Sequence, residues 1–139
     1  MNYGRIALAT VGGMVAYFVV GFAIFILVPQ LIHEGRKYSA LFRSREGQMA
    51  GMPAAMAATL VAILVLAVLY AMGYREGFGL KEGTRFGALI GVFVVFAFVV
   101  HNYVNLNIGL TLMLMQAVEY FVQWPVVGTV IGLLYKSSV

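Results

Sequence analysis

Apolar residues along this chain fall into four long runs, about 6–32, 52–74, 86–104 and 108–135, separated by shorter stretches that hold most of the charge. Each run is long enough to cross about 30 Å of hydrocarbon, which takes roughly 20 helical residues. None alternates with the period of two that a barrel strand needs. Backbone groups in lipid must be satisfied within their own segment, so helix is expected in all four. The pattern predicts an all-α integral membrane protein, a four-helix transmembrane bundle forming one transmembrane domain over residues 1–139.

The first run carries no charge from Ile6 to Ile32. It exceeds the 7 to 15 apolar residues of a signal peptide and lacks a small-residue cleavage site before a polar start, so it is expected to be a retained span. Pro53 is expected in the first turn of the second helix, where its missing N–H costs nothing. Trp124-Pro125 interrupts the fourth run and predicts a kink. Between the first two runs, Arg36, Lys37, Arg43 and Arg45 fall largely on one side of a helical wheel, with Tyr38, Leu41, Phe42 and Met49 on another. A short amphipathic interfacial helix over 34–48 follows, its four basic residues contacting lipid headgroups; the alternative is a solvated loop. The stretch Gly73–Gly83 holds four glycines and reads as a mobile turn. The connection around Tyr103–Asn107 is short and uncharged, making the last two helices antiparallel neighbours.

Composition narrows the function classes. Hydrophobic residues make up 63% of the chain and charged residues 10%, with a mean hydropathy of +0.96. Soluble domains carry roughly 25% charge, so a soluble enzyme, a nucleic-acid binder and a disordered tail are excluded. Zero cysteines exclude disulfides and cysteine-ligated metal centres. With four spans, both termini share one membrane face. Arg5, Arg75, Lys81, Arg85 and Lys136 lie on it, against Arg36, Lys37, Arg43 and Arg45 on the other, a balance too even to orient the chain. The cell (inner) membrane is the expected location.

Two kinds of candidate residue stand out. Gly87-x-x-x-Gly91 and Gly128-x-x-x-Gly132 are close-approach motifs for membrane helices. A hairpin of the last two spans sets Gly87 level with Gly132 and Gly91 level with Gly128; packing against another subunit is the alternative. Glu119 is the only ionisable side chain in the middle of a span, about 4 Å from its midpoint at 1.5 Å per residue. A charge there costs about 2.5 to 3.5 kcal/mol on insertion scales, so Glu119 should face the bundle or a wet cavity. Gln116, Glu119 and Gln123 fall within about 60° of one another around the helix.

Depth places His101 near Gln116, with Thr59 approaching from the second span and Asn102 at the mouth. The expected site is a polar pocket of Thr59, His101, Asn102, Gln116, Glu119 and Gln123, with Glu119 exchanging a proton or pairing with a cation and His101 as a relay. A purely structural clasp is the competing reading. Tyr120 and Trp124 flank Glu119 as the aromatic candidates for an organic cation. No metal, haem or other cofactor is expected, since His33 and His101 differ in depth and no His-x-x-x-His or Glu-x-x-His spacing occurs. No catalytic set is evident either.

In size, span number, balanced charge and possession of one deep glutamate, the chain resembles the small multidrug-resistance transporters in outline. Their essential glutamate lies on the first span and Glu119 lies on the last, so no residue role carries over. The expected function is a transporter- or channel-like module with a small-molecule or ion ligand at Glu119. An accessory or structural subunit of a larger membrane complex is the alternative. In both cases the lipid bilayer and a second copy or partner membrane subunits are the expected partners.

Overall fold

A computed structural model describes residues 1–74 and 79–135. Four helices in it are long and apolar enough to cross a membrane, and they form an all-α bundle. The first, α1 (Tyr3–Leu27), opens on Asn2, whose side chain accepts from the Arg5 N–H at 3.1 Å and so satisfies one of the unpaired donors of the first turn. It stops five residues short of the expected end. Pro29 disfavours helical geometry in the residue before it, and Val28 leaves the helix at φ −123°, ψ 69°. Pro29 then sits in the first turn of a separate short helix, α2 (Pro29–Arg36).

A 3₁₀ turn, Ser39–Leu41, and an extended Phe42 carry the chain to Ser44, which caps α3 (Arg45–Gly73) by accepting from the Gly47 N–H at 3.2 Å. The expected single amphipathic helix over 34–48 is therefore replaced by the end of α2, the 3₁₀ turn and the start of α3. Pro53 lies well inside α3 instead of opening it, because Ser44 and Glu46 supply an earlier start. The third span runs from Gly79, seven residues before the apolar run, as α4 (Gly79–Val94), a π-helical turn (Val95–Val99) and α5 (Val100–Asn105). The fourth, α6 (Leu110–Leu134), is one helix with Pro125 inside it. The glycine-rich turn and the count of basic residues by face both involve positions, Arg75 and Lys136 among them, outside the described residues.

Helix α6 is the hub, packed along α4 on one side and α1 on the other, while α3 leans mainly on α1. The core sits toward the end that holds the N-terminus. There Ile6, Ala9, Ile63, Ala67, Trp124, Val127 and Ile131 are buried together, and Tyr70, Tyr74 and Tyr135 meet edge to face or tilted. The Asn2 N–H reaches the Tyr135 hydroxyl at 3.4 Å, which sets the start of α1 beside the end of α6. At the opposite end the bundle opens. Residues 45–62 of α3 are exposed apart from Gly47 and Thr59, which are half-buried. Large apolar side chains such as Phe22, Phe93 and Phe96 point outward at more than 60% exposure, the arrangement of a protein whose solvent is lipid.

Candidate functional site

Close backbone approach between α4 and α6 shapes one side of the molecule. Gly79, Gly83 and Gly87 recur every four residues on one face of α4, and their Cα positions meet Gly128 and Gly132 of α6. A Cβ on Gly87 would lie 3.0 Å from Gly128 Cα and overlap the Trp124 carbonyl oxygen, while a Cβ on Gly128 would lie 2.5 Å from Gly87 Cα. The expected register is off by one turn. Gly87 meets Gly128, not Gly132, and Gly91 faces Tyr120 and Trp124, not Gly128. Gly79 and Gly83 continue the motif N-terminally; the spacing of four was the available signal, hidden because the apolar run starts only at Phe86. Thr84 and Thr129 add a hydroxyl pair at 2.7 Å beside this seam.

On its other side, α6 faces α1 and α2 across a groove. Glu119, the tenth residue of α6, lies about 14 Å into the helix at 1.5 Å per residue. Three cavities adjoin it. One, of about 420 Å³, is wholly apolar apart from Glu119 and runs between Ile24, Leu27, Val28, Leu31 and Leu114, Met115, Val118, Val122. A second, of about 460 Å³, rises from Gln116 and Glu119 past Phe25, Ile32 and Leu112 to Ser39, Arg36, Arg43 and Gln48. The third, of about 230 Å³, runs deeper, between Glu119 and Gln123 on α6 and Tyr17, Phe18, Gly21, Phe22 and Phe25 on α1. Glu119 is half-buried, and no hydrogen bond or ion pair to its carboxyl occurs among the described residues. Gln123 is 3% exposed; its amide nitrogen donates to the Tyr17 carbonyl at 2.8 Å, and its carbonyl oxygen is buried without a partner.

The polar stripe of Gln116, Glu119 and Gln123 thus lines the groove wall, Gln116 toward the α2 end and Gln123 toward the core. The other three expected pocket residues are elsewhere. His101 is exposed, its Nδ1 lying 3.2 Å from the Phe96 carbonyl across the π-helical turn, and Asn102 beside it is exposed as well. A uniform 100° per residue misjudges their direction, because the wider π turn rotates everything that follows it. Thr59 donates to the Ala55 carbonyl of its own helix at 2.9 Å, on a span that packs against α1 and barely touches α6. Of the two aromatic candidates, Tyr120 lies within electrostatic reach of the Glu119 carboxyl, as does Tyr17 of α1, whereas Trp124 is turned to the core. Trp124 is buried against Tyr17, ring centroids 5.6 Å apart, and Tyr120 packs near Val95, Val99 and Ala117. Depth along a helix was readable from the sequence; azimuth and partner were not.

The connector contributes residues that depth arguments left outside the pocket. Leu31 of α2 packs with Ile108 and Leu112 at the start of α6, and the Tyr38 hydroxyl accepts from the Gly109 N–H at 2.9 Å. These contacts hold the connector over the open end of the groove. Of its four basic side chains, Arg36 and Arg43 line the cavity, whereas Lys37 forms an ion pair with Glu34 and Arg45 opens α3 without reaching the cavity wall. The Glu34 carboxylate, hydrogen-bonded to it, holds the Lys37 ammonium above the usual lysine range. Among the described residues no group of three or more histidines and acidic side chains is placed to hold a metal. No protein-family model, curated protein or solved structure matches the chain.

Proposed function

We propose that this chain is a small transporter- or channel-like module of the cell membrane in which Glu119 exchanges a proton with, or pairs with, a ligand in the groove between α1 and α6. The observation that carries the reading is that three cavities adjoin a carboxyl with no hydrogen-bond or ion-pair partner among the described residues. A carboxyl inside a span is costly and is retained where it serves polar traffic or a partner. An intramolecular clasp would need a hydrogen-bond partner in His101 or Gln116; His101 lies against the Phe96 carbonyl instead, and Gln116 lines the same cavity without a hydrogen bond to the carboxyl among the described residues.

The test is an infrared titration of the purified chain in lipid bilayers, with Glu119→Gln assigning the band, joined to proton flux into liposomes that trap a pH-sensitive dye. A Glu119 band that titrates and shifts on transfer to deuterated buffer, with dye acidification faster than in Glu119→Gln liposomes, is the expected result. A band resistant to exchange, with equal flux in both preparations, would overturn the proposal.

A second reading, an accessory subunit, is favoured by a different observation. Among the described residues the first half of α3 is largely uncovered, exposing Met49, Met52, Met56, Leu60 and Val61 on a helix half long enough to receive another helix. Variants of that surface test it through the size of the assembly.

A further inference from the structure

At the open end of the groove, the chain places two cations above an apolar wall. Arg36 ends α2 and Arg43 lies between the 3₁₀ turn and α3, and both line the cavity of about 460 Å³ with Phe25, Ile32 and Phe42. Neither guanidinium has a carboxylate within ion-pair reach among the described residues, since the nearby Glu34 is taken by Lys37. The Arg43 backbone carbonyl accepts from the Gln48 side-chain amide at 2.8 Å, and among the described residues no hydrogen bond engages its side chain. Both arginines lie in the connector between the first two spanning helices, where the boundary between hydrocarbon and water is expected.

Next to this basic mouth lies the cavity of about 420 Å³, which shares Leu31 and Glu119 with it as wall residues and is otherwise apolar as far as Val122. Val122 is about 18 Å along α6 from Leu110 at 1.5 Å per residue. The groove therefore offers planar, multidentate donors at the interface and a hydrocarbon-lined slot reaching toward the bilayer midplane. Guanidinium groups match phosphate oxygens in geometry as well as charge.

We infer that this groove seats an anionic phospholipid, its phosphate between Arg36 and Arg43 and one acyl chain in the slot beside Val118 and Val122. Charge complementarity selects the occupant: a zwitterionic lipid brings its own cation against the two arginines, and inorganic phosphate leaves the slot unfilled. The inference shares a groove with the proposed function but does not depend on proton exchange at Glu119.

The test is native mass spectrometry of the delipidated full chain in detergent, titrated with phosphatidylglycerol, phosphatidylcholine or inorganic phosphate. Phosphatidylglycerol is expected to be retained about tenfold more than phosphatidylcholine, and the Arg36→Gln, Arg43→Gln double variant to lose that preference, as expected for two basic side chains near an anionic headgroup. Lys37→Gln and Arg45→Gln, in the same connector, should keep it. The infrared band and dye flux of the transport test do not depend on Arg36 or Arg43, which separates failure of this inference from failure of the transport reading. Val118→Trp, which fills the slot, should weaken retention of phosphatidylglycerol. Equal loss in the Arg45→Gln variant would mean diffuse surface charge, and phosphate bound as tightly as lipid would mean an anion site. Either result, or equal retention of the two lipids, overturns the inference.

Discussion

At the scale of single residues, the bundle is most sensitive where no side chain fits. Gly87 and Gly128 meet backbone to backbone, so a Cβ at either has no flexible neighbour to displace. Gly128→Ala should destabilise the chain by about 1 to 3 kcal/mol, the usual cost of overpacking a tight contact. Gly51 sits in an exposed helix with nothing within 4 Å of a Cβ, and Gly51→Ala should be neutral or stabilising by up to about 1 kcal/mol through helix propensity. Unfolding in mixed micelles compares the two, and equal effects would contradict the packing described. Gly91 lies between these cases, a Cβ there meeting the Tyr120 backbone carbonyl oxygen at 3.4 Å. The sequence marked Gly87 and Gly128 through their spacing, but not the one-turn offset of their register.

Elements show a different balance between local and distant causes. The break at Val28 is local: Pro29 ends one helix and starts the next, and the continuous apolar run through Ile32 conceals it. The position of α2 and the turn after it is not local. It depends on Leu31 packing with Ile108 and Leu112, and on the bond between the Tyr38 hydroxyl and the Gly109 N–H, residues 71 apart in the chain. Tyr38→Phe should cost about 1 kcal/mol in the same unfolding measurement and selectively speed amide exchange at Gly109. Unchanged exchange at Gly109 would show that the connector is held by its apolar contacts alone. The π-helical turn at Val95–Val99 belongs to this scale too, since it redirects His101 without disturbing the apolar pattern from which the span was read.

For the whole molecule, the asymmetry of packing is the main feature. α4, α6 and α1 form a closely packed set, while α3 joins them only through its second half, where Ile63, Ala67, Tyr70 and Ala71 are buried. If the exposed first half of α3 receives a second copy or a partner helix, Ala55→Trp or Ala58→Trp should reduce the size of the detergent-solubilised assembly measured by light scattering. Stability should change little, because both positions are exposed in the isolated chain. An unchanged size would leave that surface to lipid and count against the subunit reading. Bulky changes at Gly128 do not test assembly, since they act first on the contact with α4 inside the chain.

The amino-acid pattern by itself determined the membrane setting, the helical class, the number of spans and the identity of the one deep carboxyl. These follow from composition and run length, which lipid translates directly into spanning helices. It also determined that Gln116, Glu119 and Gln123 share a helix face, since 100° per residue is a local property. Tertiary structure alone decided what that face meets. Two helices at the same depth can point in any direction around their axes, so His101 and Thr59 matched Glu119 in level yet turned away. Phe18, Phe22, Arg36 and Arg43, read as lipid-facing or unassigned, became the other walls of its groove. Azimuth is set by which small residues let backbones touch and by the π turn that rotates one helix end. Both are consequences of packing between segments far apart in the chain.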